Sequence, residues 1–264
     1  MHGVQVYAMA GIAAWAAWCL AVRWVVRPGF RGGEPGACFA VRVIRAYARF
    51  MHALRVGGVE HVPARPPSGF SDRPLVIVSN HTSGVDPALI QAALGFEVRW
   101  VMAEDMRASR FEWFWEFARI IFVDREAGDV SGLREALRHL RAGGTLGIFP
   151  EGAIERPPRM LLPFREGVGV LIARSRALVL PVVVEGTPFA ATAWGALGKP
   201  SRSTVRFLPV IDFSARATPA GEVAGVLQQV FAESTGWRVN EKPPKYEAGR
   251  WWYVDEAGAY RPES

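Results

Sequence analysis

From Leu75 onward, short apolar runs alternate with stretches of helical period, and that alternation leaves few architectures open. The segments "LVIVS" (75–79), "VRWVM" (98–102), "IIFV" (120–123), "LGIF" (146–149) and "LVLPVVVEG" (178–186) have the length and composition of strands. Between them, Pro87–Leu94, Glu104 to about Phe117, 131–140 and 168–176 read as helices, the third closed by Gly143 and Gly144. Thr204–Val210 and Glu222–Ala232 add a late strand and a late helix. This order predicts an α/β layered domain, with a mainly parallel sheet flanked by helices. Hydrophobic residues make up 50% of the chain, enough for a packed core. In such sheets, sites collect beyond the carboxyl ends of strands. "SNHTSGVDP" (79–87), "DR" (124–125) and "FPEG" (149–152) all follow strands directly.

The first 57 residues have a different character. Val4–Val22 holds no charged residue, and Arg23 and Arg27 follow it. As a helix it would reach about 28 Å at roughly 1.5 Å per residue, close to the ~30 Å of a bilayer's hydrocarbon core. The charge follows the run instead of preceding it, so the segment reads as a retained anchor and not a signal peptide. Ala37–Val56 places Arg42, Arg45 and Arg49 on one helical stripe, with Phe39, Val43, Ala46, Phe50 and Leu54 over much of the rest. That is the pattern of a basic amphipathic helix lying in a headgroup layer. The expected organisation is a membrane-anchoring segment over 1–57, the main domain over 58–236 and an extension over 237–264. Within the extension, 249–262 reads as a hairpin turning at Asp255–Gly258.

The net charge of +6 is carried by arginine and suits an anionic membrane or a phosphate-bearing substrate. Nucleic acid is set aside, since the basic residues follow an apolar N-terminus and match no recognition motif. Cys19 and Cys38 lie in no metal-ligand or CxxC arrangement, and Cys19 is expected to be packed.

His81 and Asp86 are the first candidates for chemistry. Across a strand-to-helix turn, with Gly84 able to take φ > 0, the carboxylate can reach the imidazole and fix its tautomer. The imidazole then takes a proton from a hydroxyl. Asp86 before Pro87 also has the form of a helix N-cap. Glu151 can hold a substrate hydroxyl or order its loop, and Gly152 permits close backbone approach. Arg125 can bind phosphate bidentately or pair with Asp124 or Glu126. No GxSxG elbow is present, so a serine hydrolase is disfavoured.

Taken in order, "NHTSGVD" (80–86), "FVDR" (122–125), "FPEG" (149–152), "PFREG" (163–167) and "LPVVVEG" (180–186) resemble the glycerolipid acyltransferase superfamily, the 1-acylglycerol-3-phosphate acyltransferase-like proteins. The resemblance covers roughly Arg73–Gly186. It implies a membrane-associated O-acyltransferase that moves a fatty acyl group from acyl-CoA or acyl-carrier protein to a lysolipid hydroxyl. Its leading acceptor would be 1-acylglycerol 3-phosphate, giving phosphatidate. His81 would be the general base and Asp86 its orienter. Asn80, Arg125, Phe149, Pro150, Glu151 and Gly152 would bind substrate, Arg125 through the acceptor phosphate. No metal or bound cofactor is implied, and the active site would face the cytoplasm. Phosphatidate-forming members usually continue Thr-Arg-Ser after FPEG; this chain has Ala153, Ile154 and Glu155. Another lysolipid or a glycolipid is therefore the alternative acceptor, and a non-catalytic lipid- or acyl-CoA-binding protein the alternative of another class.

Overall fold

The computed structural model describes residues 2–26, 30–124, 130–190, 193–240, 242, 245–247, 250–255 and 258–262. Helices α1 (His2–Val26) and α2 (Pro35–Phe50) lead into strand β1 (Arg55–Gly57). The alternation follows as β2 (Leu75–Ser79), α3 (Asp86–Ala93), β3 (Arg99–Ala103), α4 (Glu112–Ala118), β4 (Ile121–Val123), α5 (Val130–Arg141) and β5 (Thr145–Ile148). A short β6 (Met160–Leu161) precedes α6 (Gly167–Ser175), β7 (Leu178–Glu185), β8 (Thr204–Phe207) and α7 (Ala220–Thr235). The tail adds β9 (Arg238–Val239), β10 (Lys245–Glu247), β11 (Arg250–Val254) and β12 (Tyr260–Pro262).

Seven strands form one sheet in the order β1-β8-β7-β2-β5-β3-β4, parallel at every junction except β7 with β8. The mainly parallel α/β sheet expected from the alternation is therefore present. Strand β2 lies between β5 and β7, and all five of its residues are buried. Its side chains divide with the strand's period of two. Val76 and Val78 join Leu140, Leu171 and Leu227 of α5, α6 and α7, while Leu75 and Ile77 join Leu89 and Ile90 of α3 and Ala48 of α2. Burial on both faces is why "LVIV" of this strand is apolar throughout, with the buried Ser79 donating to the Asn80 carbonyl at its end. Each such side chain contributes about 1.5–3 kcal/mol, which fixes β2 at the centre of the sheet. Val78 stands opposite Ile148 of β5 and Ser79 opposite Val182 of β7, so the three carboxyl ends open at one edge.

Several expectations are revised. The helix expected from Glu104 to about Phe117 is two 3-10 turns, Glu104–Met106 and Ser109–Phe111, followed by α4. Arg107 and Ala108 are extended between them, because Arg107 pairs with Glu104 and Glu112 while Trp115 Nε1 donates to the Ala108 carbonyl at 3.1 Å. The helix expected to run to Val56 stops at Phe50. Ser201 N and Ser203 N donate to the carbonyls of Met51 and His52, which draws the chain to the sheet edge, where Val56 pairs with Val205. Arg45 of the expected headgroup stripe instead donates to the carbonyls of Ala92 and Leu94, at the end of α3. Cys19 is exposed, not packed.

On α1, Met9, Ile12, Trp15, Trp18, Leu20 and Trp24 are exposed, and on α2 so are Phe39, Val43 and Phe50. Among the described residues, no helix is long and apolar enough to cross a membrane. In the extension, β11 and β12 form the expected hairpin, with Asp255 N donating to the Ala259 carbonyl across its turn. Strand β10 adds to the outer side of β11.

Candidate active site

The sheet brings the ends of β2 and β5 side by side, and with them the segments that carry His81 and Glu151. Asp86 is the first residue of α3, not its N-cap, and its carboxylate turns back over the preceding turn. Its Oδ2 accepts from His81 Nδ1 at 2.9 Å, Thr82 N at 2.7 Å and Ser83 N at 2.8 Å, and its Oδ1 from Thr82 Oγ1 at 3.2 Å. Two backbone N–H groups and a hydroxyl thus hold this buried carboxylate, with the imidazole as its fourth donor. Since a carboxylate only accepts, His81 Nδ1 carries the proton and Nε2 is left with its lone pair. The His81 side chain is 18% exposed and that of Asp86 0%, so the imidazole alone can meet a substrate.

Gly84 is needed for space, not for a left-handed backbone. A Cβ there would collide with the Ala193 carbonyl, in the segment that follows β7 and packs on the His81 turn. Thr82 Oγ1 with Thr187 Oγ1, at 2.6 Å, and Ser83 Oγ donating to the Pro188 carbonyl, at 3.0 Å, fasten that segment down.

Two residues expected to bind substrate bind backbone instead. Asn80 is fully buried; its Nδ2 donates to the Val184 carbonyl at 2.9 Å, and its Oδ1 accepts from Val184 N at 2.8 Å. It extends the β2–β7 ladder by one side chain, and full burial keeps it from solvent. Glu151 accepts from His81 N and from Leu162 N, both at 2.8 Å, so of its two expected roles it performs the ordering of the loop. Burial pushes its carboxyl well above the usual range, the Leu162 and His81 N–H groups pull it back, and Glu155 and Asp86 add to the rise. Pro150 is buried, with its carbonyl accepting from Arg165 N, and Gly152 has φ 71° with the Arg165 side chain across it. Arg125 lies outside the described residues.

Phe149 does reach the base. Its ring stacks on His81 at 4.1 Å between centroids and on Trp100 at 5.2 Å. Trp100 was missed from sequence because it lies on β3, two strands from β2, and looks like any core aromatic. A faint signal was Gly147 inside β5, where a Cβ would stand 2.5 Å from the Trp100 ring. A cavity of about 760 Å³ lies along the β3–β4 edge, lined by Arg99, Arg107, Trp115, Arg119, Phe122 and Glu135, away from His81.

A family model described as Acyltransferase matches residues 53–185, spanning the dyad, Trp100, Phe149 and Glu151. The chain belongs to that acyltransferase family. A curated relative, N-acylphosphatidylethanolamine synthase of Arabidopsis thaliana, is 29% identical over 62% of this acyltransferase. The chain spans 64% of that relative's length. Among solved structures, the 1-acyl-sn-glycerophosphate (LPA) acyltransferase PlsC of Thermotoga maritima superposes with a TM-score of 0.61 at 20% identity, covering 83% of this chain and 91% of its own. The acyltransferase therefore shares that protein's fold, and its dyad sits where β2 passes into α3.

Proposed function

We propose that this acyltransferase moves a fatty acyl group from acyl-CoA or acyl-carrier protein to the hydroxyl of a membrane lysolipid. His81 Nε2 accepts the hydroxyl proton as the oxygen attacks the thioester carbonyl carbon, and a tetrahedral intermediate forms. The C–S bond then breaks, the ester remains on the acceptor, and the imidazolium returns its proton to the leaving thiolate. Asp86 stabilises the imidazolium without itself taking the proton. The observation that carries the reading is the His81–Asp86 hydrogen bond, held by the surrounding N–H groups with Nε2 of the imidazole left over. Neither a covalent intermediate nor a cofactor is part of this scheme.

As acceptor we propose 1-acylglycerol 3-phosphate first, with Arg125 on its phosphate. A second reading, a lysolipid or amine-bearing phospholipid without a phosphomonoester, is favoured by one specific observation. Arg156, which follows Glu155, is buried, donating to the carbonyls of Glu155 and Ala190 and lying over the Phe189 ring. The exposed apolar residues of α1 and α2 support a membrane location, and we propose that the dyad faces the cytoplasm there.

Purified protein with labelled acyl-CoA and a panel of lysolipids in mixed micelles tests the reaction. Product should form with at least one acceptor, and His81→Ala should lower kcat by roughly 10²–10⁴ with an unchanged thermal midpoint. Turnover retained in that variant would sink the mechanism. Lysophosphatidate left unacylated while another lipid is used would replace the first acceptor with the second.

A further inference from the structure

The segment after Glu151 contains a second buried glutamate that the reaction above does not use. Glu155 is 3% exposed. Its backbone N–H donates to the His81 carbonyl at 2.7 Å, and its Oε1 accepts from Arg159 N at 2.8 Å. Its Oε2 is buried with no hydrogen-bond partner among the described residues. His81 is therefore held from both ends of its own backbone, by the Glu151 carboxyl at its N–H and by the Glu155 N–H at its carbonyl.

The charged groups around Glu155 come from four places. Asp86 comes from the start of α3, Glu151 from the turn after β5 and Glu185 from the end of β7, all acidic. Arg156, next in its own loop, is the opposing cation. An ionised carboxyl with one empty oxygen in that company would be a buried and poorly compensated anion, whereas an uncharged acid costs far less.

We propose that Glu155 is a positioning residue for His81: in its uncharged form it braces the turn between the His81 carbonyl and Arg159, and on ionisation the buried, unpartnered Oε2 has to be hydrated, which draws the side chain outward and opens that brace even though Oε1 is then the stronger acceptor for Arg159 N. Burial pushes the carboxyl up to about 8, Arg159 N and Arg156 oppose this, and Asp86 and Glu185 add to it. With the folded value raised, the folded protein keeps the brace until pH approaches about 8, while the stability it contributes is complete below the ordinary carboxylate range and is lost as pH rises through about 8. Opening lets the His81 carbonyl shift and takes the imidazole off its line to the acceptor. Glutamine keeps an acceptor for Arg159 N and cannot ionise. This inference rests on the acyl-transfer reading of His81, and two readouts separate their failures.

In the first, kcat and KM for acyl transfer are followed from pH 6 to 10. The wild type should lose kcat above about pH 8, with KM little changed. Glu155→Gln should keep kcat at pH 7 within about threefold and remove that alkaline loss. Glu155→Ala, if it folds, should lower kcat tenfold or more at pH 7. An unchanged alkaline limb in Glu155→Gln overturns the proposal.

In the second, urea midpoints need no turnover. The wild-type midpoint should fall between pH 6 and 9, and that of Glu155→Gln should fall distinctly less. Equal slopes overturn the proposal, and differing slopes in a protein without turnover overturn the acyl-transfer reading alone.

Discussion

Asn80 and Glu151 differ in how much of their work another side chain could repeat. Asn80 uses one N–H and its carbonyl oxygen, and Val184 presents the complementary pair. Asn80→Ala strands both backbone groups of Val184 in a dry site, at about 1–3 kcal/mol each. Its stability in urea should drop by at least about 2 kcal/mol, whereas Asn80→Asp keeps an acceptor for Val184 N and strands the carbonyl. Glu151 faces two N–H donors, from His81 and Leu162, and a glutamine there can accept only one of them. Glu151→Gln is expected to cost about 1–3 kcal/mol in urea unfolding and to lower kcat more than it raises KM, because the distorted peptide is that of the base. A variant as stable and as active as wild type would show that Glu151 does not order the His81 turn.

At the scale of elements, the aromatic stack depends on a glycine in a neighbouring strand. Gly147 of β5 leaves the space into which Trp100 of β3 lies, and Trp100 supports Phe149 against His81. Gly147→Ala must push the indole away, an overpacking that costs about 1–3 kcal/mol. Kinetics on this variant should show lower kcat with a modest thermal shift, and the second substitution Trp100→Leu should recover part of the stability without the activity. The segment after β7 is tied to the His81 turn in a similar way, through Gly84 and the Thr82–Thr187 hydrogen bond. Behind the site, β9 pairs with β6, and Asn240 N donates to the Leu161 carbonyl while Asn240 Nδ2 donates to that of Arg156. The chain beyond α7 thereby holds the segment that carries Glu155 and Arg156.

For the whole molecule, the exposed tryptophans of α1 and the exposed Phe39, Val43 and Phe50 of α2 give these two helices an apolar surface, set apart from the sheet's two buried cores. We expect full-length protein to float with vesicles of mixed zwitterionic and anionic lipid, and to remain bound at high salt, because apolar insertion is not screened. Protein lacking residues 1–26 should keep its thermal midpoint, since none of that helix's described side chains belongs to either core, and lose most of the flotation. Flotation retained by the shortened chain would place the membrane contact elsewhere.

The amino-acid sequence alone determined the layered α/β class, because a strand buried on both faces has to be largely apolar, and "LVIVS" is, with Ser79 its one polar residue. It also determined the pairing of His81 with Asp86, since the two lie within one short turn and local geometry brings them together. The tertiary structure decided the rest. Asn80 meets Val184 across 104 positions and Glu151 meets His81 across 70, contacts that exist only because β2 is inserted between β5 and β7. A polar side chain near a motif has the same letter whether it faces a ligand or the backbone of another strand. Strand order, which no local pattern encodes, turned Asn80 and Glu151 inward, and it left His81 as the side chain of the dyad that a substrate can reach.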